Sequence, residues 1–433
     1  MFVSENLSVN NSGHLTIGGV DTIELAKKYH TPLYVMDEDL IRDNCRRFRK
    51  SIDNYYNGAG LVCYASKAFC CKAMCNIMKE EGMGIDVVSE GELFTALSVD
   101  FPAERICFHG NNKTDEELTL AVKNNVGRII VDNIFELDRL DSIAGELDKK
   151  VNIMFRIKPG IDAHTHDFVK TGQIDSKFGF ALETGEAFDA VKYAISLDNV
   201  LFVGAHCHIG SQIFDIDPFV HAAEVMLTFI AKVKNELSYD IKELNLGGGF
   251  GIKYTNEDTP TAYEKYMENV SVKVKETCAK LNINQPFILI EPGRSIAAPA
   301  GITLYTVGGK KEIPHIRTYV SIDGGMCDNP RYALYKSKYD VLVANKAAEE
   351  KNTVVTLAGK CCESGDLIGE GMQIQDSNPG DVIAVLATGA YNYSMASNYN
   401  RNPRPAVVMV REGKDRIVVK RETLNDIIQN DLL

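Results

Sequence analysis

Short apolar runs alternate with longer amphipathic segments between residues 61 and 293. Eight of these runs are bounded by turn residues, and they occupy residues 61–66, 85–89, 105–110, 127–132, 151–157, 201–207, 243–249 and 287–293. The segments between them, such as DPFVHAAEVMLTFIAKVKNEL, repeat apolar residues every three or four positions, which predicts helices. Because strands buried on both faces read as continuous apolar runs, eight strand-then-helix units are typical of a closed parallel barrel. An open doubly wound sheet is the alternative, and the count favours a (β/α)8 TIM-type barrel over residues 37–298.

The pattern changes after residue 299, where GITLYTVGGKKEI, RTYVSIDGG, NTVVTLAGK and PAVVMVREG follow one another with few helical patterns between them. These runs predict an all-β domain, a sandwich or barrel, over residues 299–433. The N-terminal segment 1–36 contains HLTIGGVDT, and we expect it to contribute a strand to that domain. Asp37 can cap the first helix of the barrel, in which Ile41, Cys45, Phe48 and Ile52 form one apolar stripe.

Composition and charge narrow the functional classes. With 45% hydrophobic and 24% charged residues, the composition is that of a soluble globular protein. A formal net charge of -12 argues against nucleic-acid or anionic-membrane partners, which require clustered Lys and Arg. No apolar run has the length of a membrane span, and the N-terminus lacks the pattern of a targeting segment. Eleven cysteines without a CxxC pair predict reduced thiols and no metal centre, so we expect a cytoplasmic protein.

Chemically distinctive residues follow the predicted barrel strands, at the end where active sites of such barrels lie. They are Lys67, His109, Arg156 with Lys158, His206 with His208, the GGGFG loop at 247–251, and EPGRS at 291–295. An ordinary lysine stays solvated on a loop. In a partly dry pocket at a barrel mouth, however, the pKa of a lysine amine is depressed and the amine forms Schiff bases with carbonyls.

The GGGFG loop lacks the third glycine of the dinucleotide fingerprint, because position 252 is Ile, and the chain has no GxxxxGK[ST] motif. Its bare backbone N–H groups can approach an anion, as in barrel phosphate sites, although a tight turn with positive φ is the alternative. Glu291, Arg294 and the glycine turn of EPGRS favour the anion site, and Ser211 adds a hydroxyl. His206 and His208 alternate along a strand, which predicts opposite faces and argues against a metal pair.

A Schiff-base lysine, a phosphate-binding loop and an acid beside a ring together indicate pyridoxal 5'-phosphate. These residues do not reveal which bond is broken. The ordered segments YASKAF, IDVVSEGEL, SKFGF, HCHIGSQ, LNLGGGFG, EPGRS, DNPRYALY, CCESGDL and GAYNYSMASNYN span nearly the whole chain. Through these segments the chain resembles the alanine-racemase-like, fold type III class of pyridoxal phosphate enzymes and, within that class, the diaminopimelate decarboxylase family. Phe69 stands where many relatives are expected to have Asn, which leaves Lys67 unaffected.

The resemblance implies a role for each matching residue. Cofactor-binding roles are implied for Lys67 as covalent anchor, His208 stacked on the ring, Glu291 beside the pyridine nitrogen, Tyr391, and a phosphate site of Ser211, Gly248, Gly249, Pro292, Gly293 and Arg294. Substrate-binding roles are implied for Arg294, Arg331, Tyr335, Tyr391 and Glu363. Cys362 is implied as the catalytic proton donor and would, with Glu363, enter the site of the other subunit of a homodimer. The implied reaction converts the amino acid meso-2,6-diaminopimelate to L-lysine and CO2, the last step of lysine biosynthesis.

Three alternatives remain. Decarboxylation of ornithine, arginine or carboxynorspermidine on the same fold is disfavoured by CESGD, because ornithine-type relatives are expected to carry a shorter acidic motif. A racemase would be expected to have a tyrosine base in place of Cys362. A non-enzymatic cofactor-binding protein would have no need for CCESGD and NPRYALY.

Overall fold

The computed structural model describes residues 2–161 and 175–433. In chain order the strands are β1 Leu7–Val9, β2 Leu15–Ile17, β3 Val20–Asp21, β4 Leu33–Asp37, β5 Gly60–Ala65, β6 Gly84–Val87, β7 Ile106–Phe108, β8 Arg128–Val131, β9 Val151–Lys158, β10 Phe180–Ala181, β11 Val200–His206, β12 Glu243–Asn245, β13 Phe287–Ile290, β14 Gly301–Ile313, β15 Arg317–Ile322, β16 Val341–Val343, β17 Thr353–Ala358, β18 Leu367–Ile374, β19 Val382–Val385, β20 Ala406–Arg411 and β21 Lys414–Val419. The α-helices are α1 Thr22–Tyr29, α2 Glu38–Tyr56, α3 Lys72–Glu80, α4 Glu90–Leu97, α5 Asp115–Lys123, α6 Ile134–Glu146, α7 Glu186–Ala194, α8 Asp217–Leu237, α9 Tyr263–Leu281, α10 Arg294–Ala297, α11 Arg331–Tyr335 and α12 Leu424–Ile428. No helix in these ranges is long and apolar enough to cross a membrane.

The chain divides into two compact units. We call the first the barrel unit, which comprises Asn44–Gly251 and Pro260–Gly293. The second, the β unit, comprises Met1–Asp43, Ile252–Thr259 and Arg294–Leu433.

The barrel unit contains a closed ring of eight parallel strands in the order β5, β6, β7, β8, β9, β11, β12 and β13. Pairing of β13 with β5 closes the ring, and the short β10 adds in parallel to β9. Each of the eight apolar runs overlaps one of these strands. The predicted TIM-type barrel is therefore confirmed.

Apolar side chains fill the inside of the barrel. A core cluster is formed by Cys63, Cys107, Ile130, Met154 and Leu289, each at most 1% exposed. Glycines on neighbouring strands make room for this layer: a Cβ at Gly84 would lie 2.7 Å from Cys63 Sγ, and one at Gly204 would lie 2.5 Å from Met154 Cε. The interior is thus a packed core rather than a pore, as close packing requires.

The first barrel helix, α2, begins where the sequence predicts. The carboxylate of Asp37 accepts hydrogen bonds from the backbone N–H groups of Asp39 at 2.9 Å and Leu40 at 3.3 Å. These bonds satisfy donors that a helix start leaves unpaired. The predicted apolar stripe is buried, with each member at most 2% exposed: Ile41, Cys45, Phe48 and Ile52.

The β unit is built on a sheet in the order β18, β17, β15, β14, β4, β20 and β21, with β19 pairing β14 and β16. The N-terminal strand β4 lies inside this sheet, antiparallel to β14 and parallel to β20, so the predicted N-terminal contribution is confirmed. The segment HLTIGGVDT is not that strand. It forms β2 and β3 of a small separate sheet, because Gly18 and Gly19 both have positive φ and close a tight hairpin.

Candidate active site

Four polar side chains meet at the carboxyl ends of the barrel strands. His109 directly follows β7, His206 ends β11, Asn245 ends β12 and Glu291 directly follows β13. Parallel strands in a barrel bring these ends to one rim, so residues distant in sequence become neighbours.

Glu291 is the centre of this group. Its side chain is buried, with the residue 7% exposed. Oε1 lies 2.7 Å from His109 Nε2 and accepts a 2.6 Å hydrogen bond from the Asn245 amide. Oε2 lies 3.2 Å from His206 Nε2. Three side chains therefore hold both carboxylate oxygens inside the barrel.

Glu291 is ionised at neutral pH. Burial alone would raise the pKa of its carboxyl group, but the charge of His109 and the hydrogen bonds from both histidines outweigh burial and hold the pKa well below its usual range. Burial lowers the pKa of His206 to about 4, so this ring is neutral at pH 7. Within the described residues its Nδ1 has no hydrogen-bond partner. We therefore assign the proton to Nε2, which donates to Glu291.

A second buried carboxyl group lies beside His109. Asp86, on β6, is 4% exposed, and its Oδ1 lies 3.8 Å from His109 Nε2. Burial raises the pKa of Asp86 to about 6, although the charges of His109 and Lys67 oppose this rise. The rim thus contains two carboxyl groups whose pKa values are shifted in opposite directions. Such a divergence marks sites adapted to acid–base chemistry.

Lys67 lies in a short 3-10 helix, Ser66–Ala68, that follows β5. Its neighbours Ser66 and Ala68 are at most 1% exposed, whereas Lys67 itself is exposed. The ammonium charge of Lys67 lowers the pKa of Asp86 and contributes to lowering that of His208. The charge of the Lys67 amine therefore influences the pKa of a group on β6 and of one that follows β11.

The glycine loop after β12 is packed against neighbouring backbone. A Cβ at Gly248 would lie 2.1 Å from the carbonyl oxygen of Glu291, and one at Gly249 would lie 2.5 Å from that of Gly210. Gly249 also has φ of 112°, so both close approach and backbone conformation require glycine. Backbone hydrogen bonds from Ile213 N to Gly249 O and from Gly251 N to Ile213 O join this loop to the one that carries Ser211.

His206 and His208 were expected on opposite faces of one strand. This expectation is wrong because β11 ends at His206 and the alternation stops there. His206 contacts Glu291, while Nδ1 of His208 accepts a 3.3 Å hydrogen bond from Gly248 N. Because Gly248 also packs against the backbone carbonyl of Glu291, both rings lie at the same rim of the barrel.

In the β unit, two arginines flank one tyrosine ring. The Cζ atoms of Arg294 and Arg331 lie 4.8 Å and 5.2 Å from the centroid of Tyr391, and each arginine is at most 9% exposed. Nη1 of Arg294 donates a 2.6 Å hydrogen bond to the Tyr254 hydroxyl, and Arg331 also lies over the ring of Tyr335 at 5.6 Å. Guanidinium groups fixed on aromatic rings are suited to binding carboxylates.

The CCESGD segment presents an exposed thiol. Cys361 is buried, whereas Cys362 and Glu363 are exposed. The backbone N–H of Cys362 donates a 2.7 Å hydrogen bond to the Asn400 side chain. The chemical role of Cys362 stays a prediction.

Two members of the barrel group were missed from the sequence, Asn245 and Asp86. Both are polar residues inside apolar strand runs, in LNLGGG and IDVVS, and a buried polar group requires a partner. That signal was available. His109, His206 and Glu291 also have ligand atoms within 4.8 Å of one another, the spacing of a metal site. Since Asn245 donates a hydrogen bond to the same carboxylate, hydrogen bonding accounts for the group, and the expected lack of a metal stays a prediction.

Comparison with known proteins shows which chains this protein is similar to. Residues 38–298 match the family model for the pyridoxal-dependent decarboxylase, pyridoxal binding domain. The chain is 50% identical to diaminopimelate decarboxylase of Bacillus methanolicus over 98% of each chain. It is 48% identical to that of Bacillus subtilis (strain 168) over 100% of this chain and 98% of that protein. The crystal structure of diaminopimelate decarboxylase from M. jannaschii in complex with L-lysine superposes with a TM-score of 0.92, at 36% identity, over 100% of this chain and 99% of that one.

Each of these relatives covers almost the entire chain, and two of them share about half of its residues. The chain therefore belongs to the diaminopimelate decarboxylase family of pyridoxal-dependent decarboxylases.

Proposed function

We propose that this protein uses pyridoxal 5'-phosphate to decarboxylate meso-2,6-diaminopimelate to L-lysine and CO2, the last step of lysine biosynthesis. The observation that carries the proposal is Glu291, a buried glutamate held ionised by His109, His206 and Asn245 at the barrel rim. The choice of substrate is supported by the names of the relatives, which are diaminopimelate decarboxylases along nearly their full length.

The residues at the rim fit this cofactor. An ionised carboxylate favours a protonated pyridine nitrogen, and Glu291 supplies one. The loop at Gly248 and Gly249 is too closely packed for any side chain, so it offers bare backbone to a phosphate. When bound, pyridoxal phosphate supplies an electron sink for the electron pair left behind as CO2 departs.

We propose that Lys67 holds the cofactor covalently through its amine and that His208 stacks on the ring. The phosphate is held by Ser211, Gly248, Gly249 and the backbone of Pro292, Gly293 and Arg294. Tyr391, between two arginines, contacts cofactor and substrate.

Substrate recognition follows from charge. Diaminopimelate carries two carboxylates and two amines, and the buried guanidinium groups of Arg294 and Arg331, with Tyr335, bind carboxylate. Glu363 binds the distal ammonium group, which distinguishes the two ends of the substrate. The exposed thiol of Cys362 donates the proton that replaces the lost carboxyl group.

We further propose a homodimer in which Cys362 and Glu363 of one subunit serve the site of the other. This arrangement is supported by their exposure on a loop of the β unit. The domain at 37–298 then binds the cofactor, and the domain at 299–433, joined by the segment 1–36, contributes residues to the substrate site. The eleven free thiols are typical of a reducing compartment and support a cytoplasmic location.

The test is a CO2-release assay of the cofactor-loaded protein with meso-diaminopimelate, lysine, ornithine and arginine. We expect release from meso-diaminopimelate and formation of L-lysine. Release mainly from ornithine or arginine would assign the protein to the alternative decarboxylases, and release from none of them would refute the proposal.

The anchoring residue is tested separately. Borohydride should fix the cofactor on Lys67, as located by peptide mass spectrometry, and Lys67→Ala should abolish both labelling and CO2 release. The matched control is Lys72→Ala, an exposed lysine at the start of α3, which should leave both unchanged.

A further inference from the structure

One buried carboxylate in the β unit joins two loops. Asp366 directly precedes β18 and is 3% exposed. Its Oδ1 accepts a 2.6 Å hydrogen bond from the backbone N–H of Met326, and its Oδ2 accepts one of 2.6 Å from that of Cys361. Each oxygen therefore holds a different loop by a short, charge-assisted bond.

The packing around this carboxylate leaves little freedom. A Cβ at Gly325 would lie 2.4 Å from Asp366 Oδ1, and one at Gly359 would lie 2.2 Å from Oδ2. Neither glycine has a positive φ, so close approach to the carboxylate is what excludes a side chain. The backbone bond from Lys360 N to Gly324 O, at 2.9 Å, holds the two loops side by side.

The first loop leads directly into α11. Backbone N–H groups of Asp328 and Asn329 both donate to the carbonyl of Gly325, at 3.0 Å and 2.7 Å. Pro330 follows this tight turn and precedes Arg331, the first residue of α11 and the proposed carboxylate-binding arginine. The Met326 backbone and Arg331 are thus joined by one short hydrogen-bonded turn.

The second loop carries the proposed proton donor. Cys361, whose N–H Asp366 holds, is followed by Cys362 and Glu363. The loop returns to Asp366 through a 3.0 Å bond from Asp366 N to Glu363 O. The position of the exposed thiol is thus defined relative to the same carboxylate.

We propose that Asp366 is a positioning residue that ties the substrate-binding loop of Arg331 to the proton-donor loop of Cys362. The proposal rests on the proposed function, in which Arg331 serves its own subunit's site and Cys362 serves the partner subunit's site. Asp366 then couples the geometry of two active sites within one dimer.

The first test measures the loops without using activity. In Asp366→Asn one side-chain oxygen becomes an amide that faces a backbone donor, so the loops lose their common acceptor. By hydrogen–deuterium exchange of the cofactor-loaded protein, peptides covering 325–335 and 359–366 should both exchange at least about tenfold faster. The matched control is Asp376→Asn, an exposed aspartate paired with Lys310, which should change neither peptide. Acceleration of one peptide alone, or of neither, would overturn the coupling.

The second test separates the two loops in hybrid dimers. A dimer of one Lys67→Ala chain and one Asp366→Asn chain keeps one live site, with an altered Arg331 loop and an unaltered Cys362 loop. We expect its KM to rise about tenfold or more with kcat per site near that of a Lys67→Ala and wild-type hybrid. A dimer of the double variant Lys67→Ala/Asp366→Asn with wild type reverses the arrangement, and its kcat should fall with KM unchanged.

Equal losses in both hybrids would identify Asp366 as a general stabilising residue and overturn the proposal. If Asp366→Asn does not fold, Gly359→Ala, whose Cβ would displace the carboxylate while keeping its charge, replaces it in both tests. A wild-type protein that releases no CO2 from meso-diaminopimelate would refute the proposed function, whereas the exchange of the two peptides still decides the link between the loops.

Discussion

Replacing Glu291 by Gln tests the network at the barrel rim. The substitution keeps the shape of the side chain but removes the charge that receives hydrogen bonds from His109, Asn245 and His206. Oε1 has donors within 2.7 Å, so the amide oxygen of Gln is expected to take that position. The new NH2 group then faces His206 Nε2, which can accept only if its proton moves to Nδ1.

The expected loss of stability follows from the bonds involved. Hydrogen bonds to a charged group contribute about 1.5–3 kcal/mol each, against about 0.5–1.5 kcal/mol for neutral ones. Three bonds that weaken by about 1 kcal/mol each give a loss of about 3 kcal/mol. For a domain of this size, that corresponds to a decrease in Tm of roughly 6–12 °C.

The measurement is thermal unfolding of cofactor-free wild type and Glu291→Gln as a function of pH. Because the folded-state pKa of Glu291 is depressed, its contribution is fully present above the ordinary glutamate pKa of about 4.3 and is lost as the pH falls through the folded value. The difference in Tm should therefore be largest near pH 7 and narrow under acid.

The control is Glu276→Gln on the outer face of α9, where the side chain is exposed, and its Tm should match that of wild type. A Glu291→Gln protein as stable as this control at pH 7 would show that the carboxylate is not held as an anion. A difference that widens on acidification would contradict the sign of the pKa shift.

Three further predictions concern the same elements. In the unfolded chain His206 binds a proton near its ordinary pKa of 6.5, whereas the folded ring has a pKa of about 4. The free energy of unfolding should therefore fall by roughly 3 kcal/mol as the pH is lowered between these values, and His206→Gln should reduce the slope of Tm against pH. An unchanged slope would contradict the buried neutral ring. Gly248→Ala should lower both Tm and affinity in a pyridoxal phosphate titration, because its Cβ would lie 2.1 Å from a backbone oxygen, while Gly309→Ala, with open space around it, should do neither. Cys362→Ala should lower CO2 release at least about 100-fold and leave the cofactor affinity unchanged. Because the thiol is exposed, the free energy of unfolding should stay within about 0.5 kcal/mol of wild type. Unchanged CO2 release would exclude Cys362 as the proton donor.

The barrel could be predicted from the sequence because its signal is repeated eight times in one chain. Errors of a few residues at each strand end did not change the count. The sequence predicted a strand from the segment 1–36 but not its position, since β4 reads as an ordinary apolar run and HLTIGGVDT reads as a strand pair with a glycine turn. Which sheet a strand joins is decided by long-range pairing, and a single sequence carries little information about it.

The partners of Glu291 could not be paired from the sequence. His109 and Asn245 lie 182 and 46 residues away from it, and only closure of the barrel brings them to the same oxygen. The error about His208 had a different cause, because it depended on the residue at which β11 ends. Strand ends are the least predictable part of a strand, and here they are also where the chemistry lies.

The core cluster and the rim are related by the pleat of the strands. Cys107, Met154 and Leu289 point into the packed interior of the barrel. His109, Arg156 and Glu291 follow these three residues by two positions. Side chains two positions apart on a strand point to the same face.

Along these strands the inward-facing side chains therefore change from apolar to ionisable between one inward position and the next. This step divides the barrel into a layer that provides stability and a rim that provides chemistry, as the position of active sites in such barrels requires. A substitution of similar volume in the lower layer, such as Met154→Leu, alters only packing, whereas any neutral replacement of Glu291 leaves its donors without their anion. Once one inward-facing core residue of a strand is known, the inward positions that follow it along the strand therefore identify the rim residues of this chain.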